Sequence, residues 1–422
     1  MIALLACAAS VPSAEDSRPE PNVLPDGPGS EYGGDSDDLF DPQTIHRFVV
    51  TTESDDWEGI VEHPEKEEYI RATVELGDVR VEDVGVRFKG SWGSLFWCAD
   101  GTMDCDKLNL KFDFHEYDEE QRFYELKKLN FHAMEVDDSN MREHLAYKVW
   151  RDAGVPASRT GWATLEVNGE DLGLFLLVEQ VDGRFTRHRW GSEGEGDLYK
   201  EVWLTETSVE AWRAGLESNR EESPTPERMV EMAEALSATT DEDFVAVLSE
   251  WMDPAALTRF LAALELTGSF DSITAFYCAW GACNNHNYFW YDKGDEIVLI
   301  PWDMDRSFAV PVPLFDTHGL SNWHEESDCE RIDVFGIQAL PPSCDPFFEL
   351  ARATTLVEDY QADLDDIHAG AASLESLETE IDRLEVFLAE AVADDPVGPT
   401  QAEWRAGVDD LRGDIADLTG RY

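Results

Sequence analysis

Apolar and polar residues alternate along much of the first half of the chain and recur every three to four positions along most of the second. Ile45 to Val50, Tyr69 to Leu76 and Val84 to Lys89 read as strands, with Gly77-Asp78 as a turn between the last two. Lys107 to Phe114 alternates cleanly and sets Lys107, Asn109, Lys111 and Asp113 on one face. Asp138-Ser139-Asn140 is the expected cap of a helix carrying Met141, Leu145, Val149 and Trp150, which stops near Gly154-Val155-Pro156. A hairpin follows, Trp162 to Val167 and Leu172 to Val178, joined by Asn168-Gly169.

After Gly183 the pattern becomes helical. Helices are expected over Ser208 to Leu216, Thr225 to Leu236, Asp241 to Met252 and Pro254 to Leu266. Two acidic amphipathic ones, Leu374 to Val392 and Ala402 to Leu418, follow near the C-terminus. A pair of apolar strands interrupts them between 287 and 305. The expected fold class is therefore α+β and bilobed. A β-rich N-terminal lobe (39–183) precedes a mainly helical C-terminal lobe (184–422), with a ligand cleft between them.

The net charge of −58 disfavours nucleic acid as a partner, because phosphate recognition needs Lys and Arg patches. A saline habitat or lineage bias would account for it, and an anionic nucleotide would need a local island of positive charge. Beyond Cys7, the cysteines fall into three close pairs, Cys98/Cys105, Cys278/Cys283 and Cys329/Cys344. This suggests disulfides in an oxidising compartment, with zinc ligation or buried free thiols as the rival readings. Leu4-Leu5-Ala6-Cys7 resembles the lipobox of bacterial lipoproteins, so residues 1–7 read as a signal remnant with a lipid anchor on Cys7. Residues 8–38, rich in Pro, Gly, Ser and acids, read as a flexible acidic linker. That layout implies an extracytoplasmic, cell-envelope or cell-surface protein.

Chemistry concentrates in the segment 268–308. Asp303 and Asp305 are two apart, so in an extended segment they share a face, and with nearby Asn287 they form an all-oxygen cluster. Such a cluster suits a hard cation such as Mg²⁺ that shares ligands with a phosphate chain. Neither His144 nor His286 has a second His or Cys at zinc-ligand spacing.

Several ordered motifs together resemble the spore-coat protein H (CotH) kinase family, from about Phe40 to near the C-terminus. They are Arg87-Phe88-Lys89-Gly90, Lys107-Leu108-Asn109-Leu110-Lys111-Phe112, the hairpin Val167 to Asp182, Asn287-Tyr288-Phe289-Trp290-Tyr291 and Ile300-Pro301-Trp302-Asp303-Met304-Asp305. Phe175 and Phe289 stand where Tyr is usual, and the stretch between Asp271 and Asn287 looks longer than in many members.

The resemblance implies an atypical protein-kinase-like fold that uses ATP and Mg²⁺ to phosphorylate Ser or Thr of an unknown partner protein. A non-catalytic surface-binding, adhesin or coat-type protein on the same scaffold is the alternative. On the kinase reading, Asn287 (with Asn285 in reserve), Asp303 and Asp305 are the expected metal ligands. Asp271 accepts the proton or orients the substrate, and Lys107 holds the phosphates. Arg87, Lys89 and Lys111 are further phosphate contacts. The loop of Gly90, Ser91, Trp92, Gly93 and Ser94 offers backbone N–H groups. Glu143 is expected to pair with Lys107, in competition with Arg142. Glu179 is placed near adenine or ribose, and Trp302 could stack on a base.

Overall fold

The computed structural model describes residues 31–90, 95, 107–191, 194–218, 223–279, 281–308, 318–334 and 336–422. Cys7, residues 8–30, Ser91 to Ser94 and the Cys98/Cys105 pair lie outside the described residues. Seven strands close into a barrel: β1 (Ile45–Thr52), β2 (Ile70–Leu76), β3 (Val79–Phe88), β4 (Leu110–Asp113), β5 (Lys128–His132), β6 (Thr160–Val167) and β7 (Glu170–Glu179). Their order is β1-β2-β3-β4-β5-β7-β6, and the parallel pairing of β1 with β6, Ile45 opposite Trp162, closes the ring. Asn168 and Gly169, with φ of 51° and 86°, make the expected tight turn between β6 and β7.

Alternation along these strands divides two cores. Ala163, Leu165 and Val167 of β6 and Phe175 and Leu177 of β7 point into the barrel with Phe48, Phe112 and Phe131. The Phe112 and Phe131 rings lie 4.2 Å apart. Trp162 of β6 and Leu174, Leu176 and Val178 of β7 point the other way, into the core shared with the helices. β7 is thus buried on both faces, which explains its nearly unbroken apolar run.

The second core is built by α1 (Arg142–Asp152), α2 (Pro226–Ala238), α3 (Pro254–Thr267), α4 (Leu356–Ala369), α5 (Leu374–Asp394) and α6 (Gln401–Thr419), with shorter helices between them. Leu145, Val149 and Trp150 of α1 are fully buried, and Trp150 packs edge-on against Phe260 of α3 at 4.6 Å. A three-stranded sheet completes the site's frame: β8 (Asp197–Lys200), then, after the hairpin β9 (Phe276–Ala279) and β10 (Ala282–Asn284), β11 (Tyr288–Asp292) and β12 (Ile297–Pro301), in the order β8-β11-β12. Disulfides join Cys278 to Cys283 across the β9–β10 hairpin and Cys329 to Cys344. Among the described residues, no helix is long and apolar enough to cross a membrane.

Local chemistry overrides the sequence reading at several places. α1 is capped chiefly by Asp137, with Ser139 Oγ of the expected Asp138-Ser139-Asn140 accepting from the Met141 N–H at 3.2 Å. The Asp137 carboxylate accepts from the backbone N–H groups of Met141 and Arg142, each at 2.8 Å, and from Ser139 N at 3.0 Å. The helix expected over Asp241 to Met252 shortens to Phe244–Leu248. α4 and the β9–β10 strands were not expected, whereas the Cys278–Cys283 bond that joins those strands was.

The last part of the segment read as linker carries regular structure. Glu31–Tyr32 pairs in parallel with Arg122–Phe123, and a 3-10 turn over Ser36–Phe40 buries Leu39 completely. Leu39 lies directly over β6 at Gly161, where an added Cβ would sit 2.3 Å from the Leu39 carbonyl oxygen.

That contact gives a paired expectation. Gly161→Ala forces backbone apart and should cost about 1–3 kcal/mol in chemical denaturation, the usual penalty of overpacking. Gly59→Ala, in an exposed helix over Ser54–Glu62 with nothing near its Cβ, should gain roughly 0.5–1 kcal/mol from helix propensity.

Candidate functional site: a buried lysine, an imidazole and three carboxylates

The last rung between β11 and β12 is the Trp302 N–H donating to the Asn287 carbonyl at 3.1 Å. Beside it both chains turn into the left-handed region, with φ of 63° at Asn287 and 60° at Asp303. Among L residues, Asn and Asp tolerate that conformation best. The expectation that Asp303 is extended is therefore corrected: the strand ends at Pro301. The kink still leaves Asp303 and Asp305 on one wall of a hollow of about 40 Å³, also lined by Asn109, His132, Asp137 and Glu143. This is room for an ion and about two waters.

α1 forms the opposite wall. Glu143 and Tyr147, one turn apart, both face the site; the Asp303 backbone N–H donates to the Tyr147 hydroxyl at 3.2 Å. Glu143 is only 4% exposed. Its Oε2 lies 2.8 Å from His132 Nδ1, while Oε1 is buried with no hydrogen-bond partner. The other ring nitrogen, His132 Nε2, lies 2.7 Å from Lys89 Nζ. Lys89 comes from the end of β3, where its backbone N–H donates to the Asn109 carbonyl, and its ammonium stands 5.2 Å from the Trp302 ring centre. A file of three groups, Lys89–His132–Glu143, thus runs from the barrel to α1.

Its electrostatics are lopsided. Desolvation, then the charge of Asp303, pushes the Glu143 carboxyl well above its usual range. Desolvation pulls the Lys89 ammonium down, although Asp303 and Glu143 oppose this. Burial and the charge of Lys89 keep His132 neutral. Acids outnumber cations here: Glu135, Asp137, Glu143, Asp303 and Asp305 line the hollow with Arg306, and Lys89 stands behind His132, so an added cation would offset the imbalance.

Asp271 adjoins this cluster. Its carboxylate sits 2.8 Å from His286 Nε2 and accepts from the Tyr277 hydroxyl at 2.9 Å. Asn287 Nδ2 donates to the Asp271 carbonyl at 2.8 Å, leaving its own oxygen as the available ligand atom. Burial opposes both ionised forms, yet the pairing wins: Asp271 is held low and His286 raised.

The expected residues divide. Lys89, Glu143, Asp303 and Asp305 come together, with Asp271 and Asn287 beside them and Trp302 as a wall. Lys107 does not join. Its Nζ pairs with Asp395 at 2.8 Å, donates to the Leu174 carbonyl and stands over the Phe175 ring, all of it buried. Pairing along β4 begins only near Asn109, so alternation no longer fixes where Lys107 points. The expected Glu143–Lys107 pair is therefore replaced by Glu143–His132–Lys89.

Glu179 is also corrected. It is fully buried between Arg159 at 2.7 Å and Arg189 at 2.8 Å, which hold its carboxyl far below the usual range against desolvation. No oxygen remains for adenine or ribose. Arg87 is ion-paired with Glu67 beside the Tyr69 ring. Arg142 donates to the Phe308 carbonyl and pairs with Asp414. Asn285 spends both amide ends inside the fold, on Ile273 and Tyr288. Trp302 is 7% exposed and meets His132 and Phe289 edge-on, so packing is its main work.

His132 is the site residue that the motifs do not contain; Asn109 lies within one without an assigned role, and His286 enters the sequence reading only as a zinc ligand. His132 and Glu143 are linked across a strand, a capped turn and a helix, and no fixed spacing announces such a pair.

The sequence profile of the CotH kinase protein family matches residues 86–415, and the chain belongs to that family. Membership makes it a kinase-like protein. It is 21% identical over 253 residues to the inner spore coat protein H of Bacillus subtilis (strain 168). The match covers 56% of this chain and 60% of that one, so the chain spans about three fifths of the length of the curated relative. Among solved structures, it is similar to a chain of the Shewanella oneidensis MR-1 toxin–antitoxin complex of HipA, HipB and operator DNA. There the TM-score is 0.37 and the identity 12%, covering 76% of this chain and 65% of that chain.

Lys111 offers a test of the basic side of the barrel. Desolvation, then the charges of Lys128, Lys89 and Arg87, lowers its ammonium from 10.5 to about 7. The folded chain then binds fewer protons than the unfolded chain between about 7 and 10.5, so this group makes stability rise with pH across that window. Lys111→Met should raise the melting temperature more at pH 6 than at pH 10. A ¹³C-methylated Lys111 should titrate near pH 7 by NMR.

Proposed function

We propose that this chain is a phosphotransferase of the kinase type. On this reading it uses ATP and a divalent ion such as Mg²⁺ to phosphorylate a Ser or Thr hydroxyl on a partner protein outside the cytoplasm. The observation that carries the proposal is the convergence of Glu143, Asp303 and Asp305 on one hollow, with Lys89 behind its His132 wall and Asp271 beside it. The donor set fits a hard cation: Asp303 and Asp305 line the hollow, the Asn287 oxygen is the third ligand expected from the sequence, and Glu143, also in the lining, keeps one oxygen buried without a hydrogen-bond partner. The hollow is ion-sized, so a nucleotide would place its phosphates at the mouth. When bound, the metal supplies charge neutralisation for the transferred phosphoryl group.

The chain's own residues do the rest. Lys89 takes the phosphate-holding role first expected of Lys107. Trp302 and the barrel wall shield it from water, which strengthens its pull on an anion. Asp271 accepts the acceptor hydroxyl's proton, with His286 and Tyr277 fixing its orientation. Export is supported by the two disulfides and by the spore-coat relative.

Thermal shift tests binding. MgATP at a hundredfold excess over Kd should stabilise the chain by about 2.7 kcal/mol. Asp303→Asn and Lys89→Met should abolish the shift. Lys107→Met should keep it, while lowering basal stability because the buried Asp395 loses its cation and retains only the backbone N–H groups of Leu174, Val397 and Gly398. A shift that disappears with Lys107 and survives without Lys89 would reverse the assignment. Phosphate transfer to Ser-containing peptides should then fall at least about a hundredfold in Asp271→Asn; unchanged transfer would remove Asp271 from the reaction.

A further inference from the structure

We propose a second metal subsite at the back of the hollow, formed by His132 Nδ1, Glu143 and Asp303. It takes a borderline divalent ion such as Mn²⁺ in preference to Mg²⁺, and filling it releases Lys89 from His132. The site is independent of the phosphotransfer reading; only the use made of the released lysine rests on that reading.

Three observations carry the inference. One ligand atom from each of the three residues can be chosen so that all lie within 4.8 Å of one another. The Nδ1–Oε2 edge is 2.8 Å. Two donors each about 2.1 Å from an ion and at right angles are about 3 Å apart, so this edge fits cis coordination as well as a hydrogen bond. Lastly, Glu143 lines the hollow and keeps one carboxylate oxygen buried without a hydrogen-bond partner. That is a costly arrangement unless a cation answers it. An imidazole with two carboxylates suits Mn²⁺, Fe²⁺ or Zn²⁺, whereas Mg²⁺ favours oxygen ligands alone.

The link to Lys89 follows from the imidazole ring. An ammonium only donates, so the 2.7 Å contact requires Nε2 of His132 to accept. Nδ1 then carries the ring proton and donates it to Glu143. A metal on Nδ1 displaces that proton to water, and the neutral ring takes one up at Nε2. The proton count on the ring is unchanged, but Nε2 becomes a donor and no longer accepts from Lys89. The ammonium, now also repelled by the dication, turns toward the mouth of the hollow. Metal loading and the availability of the phosphate-holding lysine become one event.

Pulsed EPR on the full chain with Mn²⁺ and no nucleotide tests this directly. The wild type should show nitrogen-14 modulation from a bound imidazole. His132→Gln should lose it and weaken Mn²⁺ binding about tenfold or more, at least the loss that an outer-sphere partner causes. Mg²⁺ binding should be unaltered. His286→Gln should keep the modulation. Lys89→Met, which removes the competing ammonium, should keep the nitrogen signal and bind Mn²⁺ more tightly; this variant serves if His132→Gln does not fold. Wild-type Mn²⁺ without nitrogen modulation, or modulation that persists in His132→Gln and vanishes in His286→Gln, overturns the proposal. A nitrogen signal with no MgATP shift would keep the subsite and remove the phosphotransfer reading.

Discussion

Three carboxylates gathered on one hollow, with the Lys89 ammonium behind them and Arg306 at the more exposed Asp305, are the constraint on which the rest of this molecule turns. Glu143, Asp303 and Asp305 would repel one another in any loose arrangement. They are kept together because each is fixed by something stronger than the repulsion. Glu143 rides on a helix whose apolar stripe is sunk in the larger core. Asp303 hangs from the end of a paired strand, and its backbone is tied to Tyr147. Lys89 enters from the barrel on the other side. Barrel and helical layer must therefore be in register for the charges to meet at all, and the doubly buried strand β7 provides that register.

Much of this was legible in the sequence where local rules dominate. The Asn168-Gly169 hairpin, the alternation of β4 and the periodicity of α1, α3, α5 and α6 follow from chemistry within a few residues. The two carboxylates at 303 and 305 were legible as chemistry, although the left-handed backbone that positions them was not. What failed depends on distant contacts. Lys89 and Lys107 look alike as strand lysines. Only Asp395, far along the chain between α5 and α6, decides that Lys107 is structural. Glu179 looked exposed to ligand until Arg159 and Arg189 closed over it from two separate elements. His132 was invisible because its partners come from a helix and from the other end of a barrel strand.

The extreme acidity also takes on a different sense. With 32 basic residues against 90 acids, most cations have a choice of partners. Several are spent on buried joints between elements: Lys107 on Asp395, Arg159 and Arg189 on Glu179, Arg228 on Asp292. Removing one side of such a joint leaves a charge without water or partner, which costs more than the pair contributes when intact. Lys89 is set apart by having an imidazole as its direct polar partner, which leaves its charge available to the hollow.

The paired kinks at Asn287 and Asp303 carry an evolutionary consequence. Position 303 is filtered twice, once by charge and once by torsion. Glutamate would keep the charge and strain the chain, while glycine would relax the chain and lose the carboxylate. Aspartate meets both demands, and asparagine at 287 does the same where a neutral oxygen suffices. A relative with Asn or Gly at 303 would keep the bend and lose the charge, so the identity of that residue separates hollows that retain this carboxylate from those that retain only the turn.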